Sequence, residues 1–135
     1  MEVTETGANS GPGYAKHPGY RIEFEAEPRR VRVIYNGVVV ADSTHAMVMR
    51  EADYPPVHYL PRDDVRLEHL RRTDHHSNCP FKGKASYWTI QVGEREAENA
   101  VWSYEHPFDE MAAMKDTMAF YPDRVDAIEV DDDAA

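Results

Sequence analysis

The run Cys79-Pro80-Phe81-Lys82-Gly83-Lys84-Ala85-Ser86-Tyr87-Trp88 gathers the only cysteine of the chain, two lysines, a glycine and three aromatic side chains into ten positions. The proline pushes Cys79 toward an extended backbone, and Gly83 lets the chain bend sharply two residues after Phe81. Such a loop could present the thiol beside the Lys82 ammonium, and a nearby cation favours the thiolate. Two chemistries are open to it: nucleophilic attack by Cys79, or an anion held by Lys82. Each has a plain alternative. A free cysteine is often a small buried hydrophobe, and a lysine is often only a surface charge.

Other residues widen the list. Arg50, Arg62, Arg66 and Arg72 could assist Lys82 with an anion. Tyr59, Tyr87, Trp88, Trp102 and Tyr104 fall on expected strands, with Trp102 and Tyr104 on one face if the two-residue period holds. Such aromatics are core unless their polar tips face a pocket. Asp42-Ser43, Glu51 and Asp64 supply carboxylates and a hydroxyl, in positions equally suited to turns and strand ends. The candidate ligand-binding set is therefore Asp42, Ser43, Glu51, Tyr59, Asp64, Cys79, Lys82, Trp102 and Tyr104, with Cys79 and Lys82 also the candidate catalytic groups.

Asp74-His75-His76 ahead of Cys79 has a passing likeness to a metal site. A structural zinc site usually draws on cysteine or histidine pairs at short spacing, and there is no second cysteine. No metal is expected, and the stretch reads as a polar loop. The chain has neither GxxxxGK[ST] nor GxGxxG, so neither familiar nucleotide cradle is present and no cofactor is expected.

These groups need elements to position them. Tyr20, Ile22 and Phe24 alternate with charged residues, as in a half-buried strand. Val31 to Tyr35 and Val38 to Ala41 flank Asn36-Gly37, a pair suited to the two positive φ angles of a type I′ turn, which predicts a β-hairpin. Ala46 to Arg50 and Val57 to Leu60 read as strands. Residues 63–70 fit either a short helical turn or an irregular strand. Tyr87 to Val92 and Ala97 to Tyr104 read as a strand pair, followed by a helix that Pro107 opens, with Phe108, Met111 and Met114 on one face. Met118 to Tyr121 and Val125 to Val130 close the domain. The expected class is mainly β, about eight strands in two small packed sheets with one short C-terminal helix.

At 135 residues the chain is most simply one domain, with roughly two thirds of its unfolded surface buried. Residues 1–16 read as a flexible N-terminal segment, 17–130 as the β-rich domain and 131–135 as an acidic tail. The net charge is −10. Residues 1–93 hold twelve basic and twelve acidic side chains, while residues 94–135 hold three against thirteen, so the excess is C-terminal. That surface disfavours nucleic acid. No apolar run nears the roughly 18 residues of a membrane span, and the N-terminus lacks the plan of a signal peptide. A soluble, cytoplasmic protein is expected.

From about His17 to Ile128 the chain resembles the domain of unknown function 427 family, which also carries a nucleotidyltransferase-like label. The motifs are Asn36-Gly37 running into Ala41-Asp42-Ser43, Glu51, Tyr59-Leu60-Pro61 with Asp64-Val65, Asp74-His75, Cys79 to Gly83, Ala85 with Tyr87, Ala100 with Trp102-Ser103-Tyr104, Pro107, and Phe120-Tyr121. His76 and Ser77 stand where the family has threonines. The resemblance implies a compact, tent-like arrangement of small sheets, also seen in small zinc-binding accessory proteins for GTPases, whose cysteine pairs have no counterpart here. It implies no established activity. Nucleotidyltransferases need a Gly-Ser turn and paired carboxylates for magnesium, and the only Asp-x-Asp of this chain is Asp131-Asp132-Asp133.

The reading that joins these observations is an uncharacterised small-molecule-binding domain with a polar-aromatic pocket and an anionic ligand held by Lys82. The alternatives are a small enzyme using Cys79 or Lys82, and a protein-interaction module or homodimer, which would show an exposed apolar patch.

Overall fold

The computed structural model describes residues 9–131. The described chain is mainly β, with ten strands in three small antiparallel sheets rather than the expected two. The first contains β1 (Ile22–Ala26), β4 (Met47–Glu51) and β5 (Val57–Tyr59), in the order β1-β4-β5. The second contains β2 (Val31–Tyr35), β3 (Val38–Ser43) and β10 (Ala127–Val130), in the order β10-β2-β3. The third contains β6 (Leu70–Cys79), β7 (Gly83–Val92), β8 (Arg95–Ser103) and β9 (Ala119–Phe120), in chain order.

Two isolated bridges stitch the sheets together. Ala41 of β3 pairs with Val65, and Leu60, just after β5, pairs with Met118, just before β9. Leu60 and Met118 exchange both backbone hydrogen bonds at 2.8 Å.

The hairpin at Asn36-Gly37 forms as its sequence dictates. Asn36 has φ 50° and Gly37 φ 78°, the left-handed pair that asparagine and glycine tolerate. Val31, Val33 and Tyr35 alternate inward from β2. They anchor one apolar cluster with Trp88, Ile90 and Val101. A second cluster gathers Met49, Tyr59, Tyr87, Tyr104, Met111 and Met114.

Two local expectations need correction, and one left open is decided. The C-terminal helix is a 3-10 segment, Asp109–Met114, broken at Met111 (φ −110°, ψ 21°). Met111 and Met114 are still buried, because a three-residue repeat puts them on one side as well as an α-helix would. Residues 62–64 and 67–69 are two 3-10 turns, which resolves the ambiguity over 63–70. Asp74 to Cys79 is strand, not loop: it belongs to β6, whose pairing with β7 shifts register between Arg72 and His76. A bulge there breaks the alternation that would have marked it.

Residues 9–16, expected to lack packing, are seated on the β6–β7 turn. A short helix, α1 (Gly13–Lys16), begins at Gly13, whose N–H donates to the Pro80 carbonyl at 3.0 Å. A Cβ on Gly13 would lie 2.7 Å from the Phe81 ring, so the glycine is there for close approach. Tyr20 stacks on Phe81 at 4.1 Å between ring centres, and Tyr14 meets its edge at 5.0 Å. Residues 1–8 of the expected flexible segment, and 132–135 of the expected tail, lie outside the described residues. Asp131 is tied in, with its carboxylate 2.7 Å from Arg32 Nη2. No helix among the described residues is long and apolar enough to cross a membrane.

Candidate functional site

Lys82 occupies the turn between β6 and β7. Gly83 has φ +119°, a backbone conformation that an L side chain rarely adopts, and a Cβ there would sit 3.3 Å from Pro107 Cα. The Lys82 carbonyl accepts the Phe108 N–H at 3.1 Å, which fixes the turn against the segment leading into Asp109–Met114. The side chain reaches back to the end of β4, where Nζ lies 2.6 Å from Glu51 Oε1. Tyr20 O–H donates to the other oxygen, Oε2, at 2.5 Å. Both charged side chains are only 12% exposed, so this is a largely desolvated ion pair rather than a surface one.

From that pair a cavity of about 430 Å³ opens, a size suited to a small organic ligand. Its walls are aromatic. Tyr59, Trp102 and Tyr104 face it together with Tyr87 and Tyr121, and the exposed Tyr54 stands at its rim. The Trp102 indole N–H donates to the Tyr59 hydroxyl oxygen at 3.0 Å. That bond uses Tyr59 as acceptor and leaves its own O–H to donate. The Tyr104 hydroxyl makes no hydrogen bond among the described residues. Tyr87 and Tyr121 have hydroxyls 3.4 Å apart, and Ser77 lies 2.8 Å from the Tyr87 oxygen.

Burial pushes the Tyr59 and Tyr104 phenols well above their ordinary range, and burial followed by the Tyr87 bond pushes Tyr121 up to about 12. Tyr20 is raised chiefly by its bond to Glu51. At neutral pH all four are protonated, so the cavity offers the donors of Lys82, Tyr59 and Tyr104.

A second cavity, of about 230 Å³, adjoins the first and shares Pro56, Val57, Trp102 and Pro122 with it. It is otherwise aliphatic, lined by Val33, Leu60, Ile128 and Val130 with Phe120, and His58 is its only ionisable lining residue. His58 Nε2 lies 2.9 Å from Glu27 Oε1, and Arg29 grips both oxygens of the same carboxylate at 2.8 and 2.9 Å. The Arg29 bonds lead in holding the buried Glu27 carboxyl down at about 2.

Five of the nine candidates thus meet in one place: Glu51, Tyr59, Lys82, Trp102 and Tyr104. Cys79 is half-buried at the end of β6, opposite Gly83, and packs against the apolar cluster beneath the cavity. Its sulfur has no hydrogen bond among the described residues. Asp42, Ser43 and Asp64 lie elsewhere. Asp42 holds Arg30 through two bonds of 2.7 and 2.5 Å, and the Ser43 hydroxyl donates to Asp64 Oδ2 at 2.6 Å. Tyr121, on the cavity wall, and Tyr20, bonded to Glu51, are neighbours of these five that spacing did not single out. Tyr20 is 31 positions from Glu51, and nothing short of the fold joins them.

Residues 23–131 match the family model described as a domain of unknown function (DUF427). The chain belongs to the DUF427 family. No curated protein matches it. The DUF427 match takes in all five residues that meet at the cavity but begins after Tyr20, so one hydrogen bond to Glu51 comes from outside the matched range.

Proposed function

We propose that this DUF427 chain is a soluble, cytoplasmic binding domain for a small organic molecule bearing a hydrogen-bond-accepting head, a carboxylate or carbonyl, on an apolar body. The supporting observation is that Lys82, Tyr59 and Tyr104, three donors, line one aromatic-walled cavity. The head would take the Nζ protons that Glu51 leaves free and the two phenol protons, and the body would lie against Trp102 and Tyr121. Glu51 already balances the Lys82 charge. An anion would therefore be held by the donors collectively and not by an unpaired cation. As part of the same reading, the three sheets lean together in the tent-like manner the family resemblance implies, with residues of the β1-β4-β5 and β6-β7-β8-β9 sheets lining the cavity.

The test is a titration of purified protein with benzoate, benzamide and benzylamine, followed by calorimetry. Because Glu51 must not be left uncompensated, the comparison is between Glu51→Gln and Lys82→Met/Glu51→Gln, alongside Tyr104→Phe. Benzoate and benzamide should bind the wild type and weaken about tenfold in Tyr104→Phe, the value of one hydrogen bond to a desolvated group. Preference for benzylamine, or an affinity that neither Tyr104→Phe nor the loss of Lys82 from the Glu51→Gln background changes, would sink the proposal.

A further inference from the structure

The aliphatic cavity has no task in the reading above, yet it shares four lining residues with the aromatic one. Trp102 forms part of both walls, and its indole is fixed by the Tyr59 hydroxyl at 3.0 Å and by Tyr121, whose ring centre is 4.4 Å away. A ligand seated on the Trp102 ring in the first cavity therefore has its body at the border of the second. The second cavity offers such a body methyl and methylene surface from Val33, Leu60, Ile128 and Val130. The single ionisable group on its wall, His58, already has Nε2 engaged by Glu27. Beyond the head group, then, this wall rewards burial of hydrocarbon more than any second charge.

We propose that the aliphatic cavity is an alkyl-chain subsite, so that the ligand class is a medium-length chain carrying the carboxylate or carbonyl head. The position of the head rests on the proposed function; the chain subsite has its own test. Ile128 and Val130 lie two residues apart on β10, an edge strand, and both are only partly buried. Substitution there narrows the cavity from its rim without touching Lys82, Tyr59 or Tyr104.

The experiment is calorimetric titration of the full chain with the straight-chain carboxylates from acetate to decanoate and with their primary amides. Trp102 emission is a second readout. Affinity should rise about fourfold for each added methylene, from the transfer of hydrocarbon out of water, and level off once the cavity is full. Ile128→Trp should abolish that rise while leaving the shortest members unchanged. Val130→Phe does the same if Ile128→Trp fails to fold. Affinity independent of chain length, a rise that survives a folded blocking variant, or no binding by any member would overturn the subsite. A length-dependent rise that the blocking variant removes but that ignores Tyr104→Phe would support the subsite and overturn the head-group assignment alone.

Discussion

Glu51 uses both of its oxygens, one for Lys82 Nζ and one for Tyr20 O–H, in a setting where neither charge of the pair reaches much water. Breaking such a pair costs more than making it gained, because the survivor stays desolvated without a partner. Lys82→Met should therefore lower unfolding stability by about 3 kcal/mol, and Lys82→Met/Glu51→Gln should recover most of that loss. Urea denaturation of the two single variants and the double closes the cycle, and simple additivity would contradict the coupling. A second residue, Glu27, sets an acid limit. Its folded value of about 2 lies below the ordinary glutamate value of 4.5, so its contribution is complete above pH 4.5 and disappears as the pH falls toward 2. That contribution is on the order of 2 to 3 kcal/mol. Glu105, held at about 2 first by Arg72 and then by Arg62, loses stability over the same window. Glu27→Gln should lower stability at pH 7 and flatten, without abolishing, the decline between pH 4.5 and 2, as read from urea midpoints against pH.

The elements show where a sequence speaks clearly and where it does not. The Asn36-Gly37 hairpin is legible because its turn chemistry is local and its inward valines alternate. β6 is illegible because its inward positions are interrupted by a bulge and its residues Asp74, His75 and His76 are polar, so that only pairing with β7 makes it a strand. The 3-10 segment at Asp109–Met114 shares its buried-residue spacing with an α-helix over so short a span. The same limit governs the site. Lys82 and Gly83 declare themselves together, whereas the partnership of Glu51 with Tyr20 depends on how residues before β1 cross the end of β4. Asp42, Ser43 and Asp64 have the right chemistry but satisfy one another and Arg30 instead. Gly83→Ala tests the element that carries Lys82. With φ at +119° and Pro107 Cα close by, the substitution should cost about 1 to 3 kcal/mol and weaken benzoate binding in parallel. A Gly83→Ala protein of unchanged melting temperature would show that the turn is not held as described.

At the scale of the whole molecule, residues 9–20 act as a strap over the β6–β7 turn, through the Gly13 bond to Pro80, the Tyr14 and Tyr20 rings on Phe81, and Ser10 and Gly11 on the Glu110 carboxylate. Removal of residues 1–18 should strip Phe81 of Tyr14 while sparing Tyr20. It should lower the melting temperature by several degrees, in keeping with the loss of about 1 to 2 kcal/mol from a ring pair and its hydrogen bonds. Amide exchange at Phe81 and Lys82 should quicken more than exchange at Val33, in the Val31–Trp88 cluster; equal protection in both forms would mean that the strap does not brace the turn.

β10 pairs with β2 across more than ninety positions of chain, and Ile128 and Val130 line the aliphatic cavity together with Trp102. On the ribosome, β2 and β3 can close their hairpin early, but the edge of β2 that faces Ile128 has no partner until β10 has cleared the exit tunnel. Val33, fully buried in the finished protein, waits through the synthesis of the entire third sheet. The nascent chain therefore displays an unpaired, valine-rich edge for most of its elongation, the kind of surface that holdase chaperones recognise. Ribosome-bound chains in which a C-terminal linker carries β10 clear of the tunnel should hold far less chaperone than chains of the same length that lack residues 127–130.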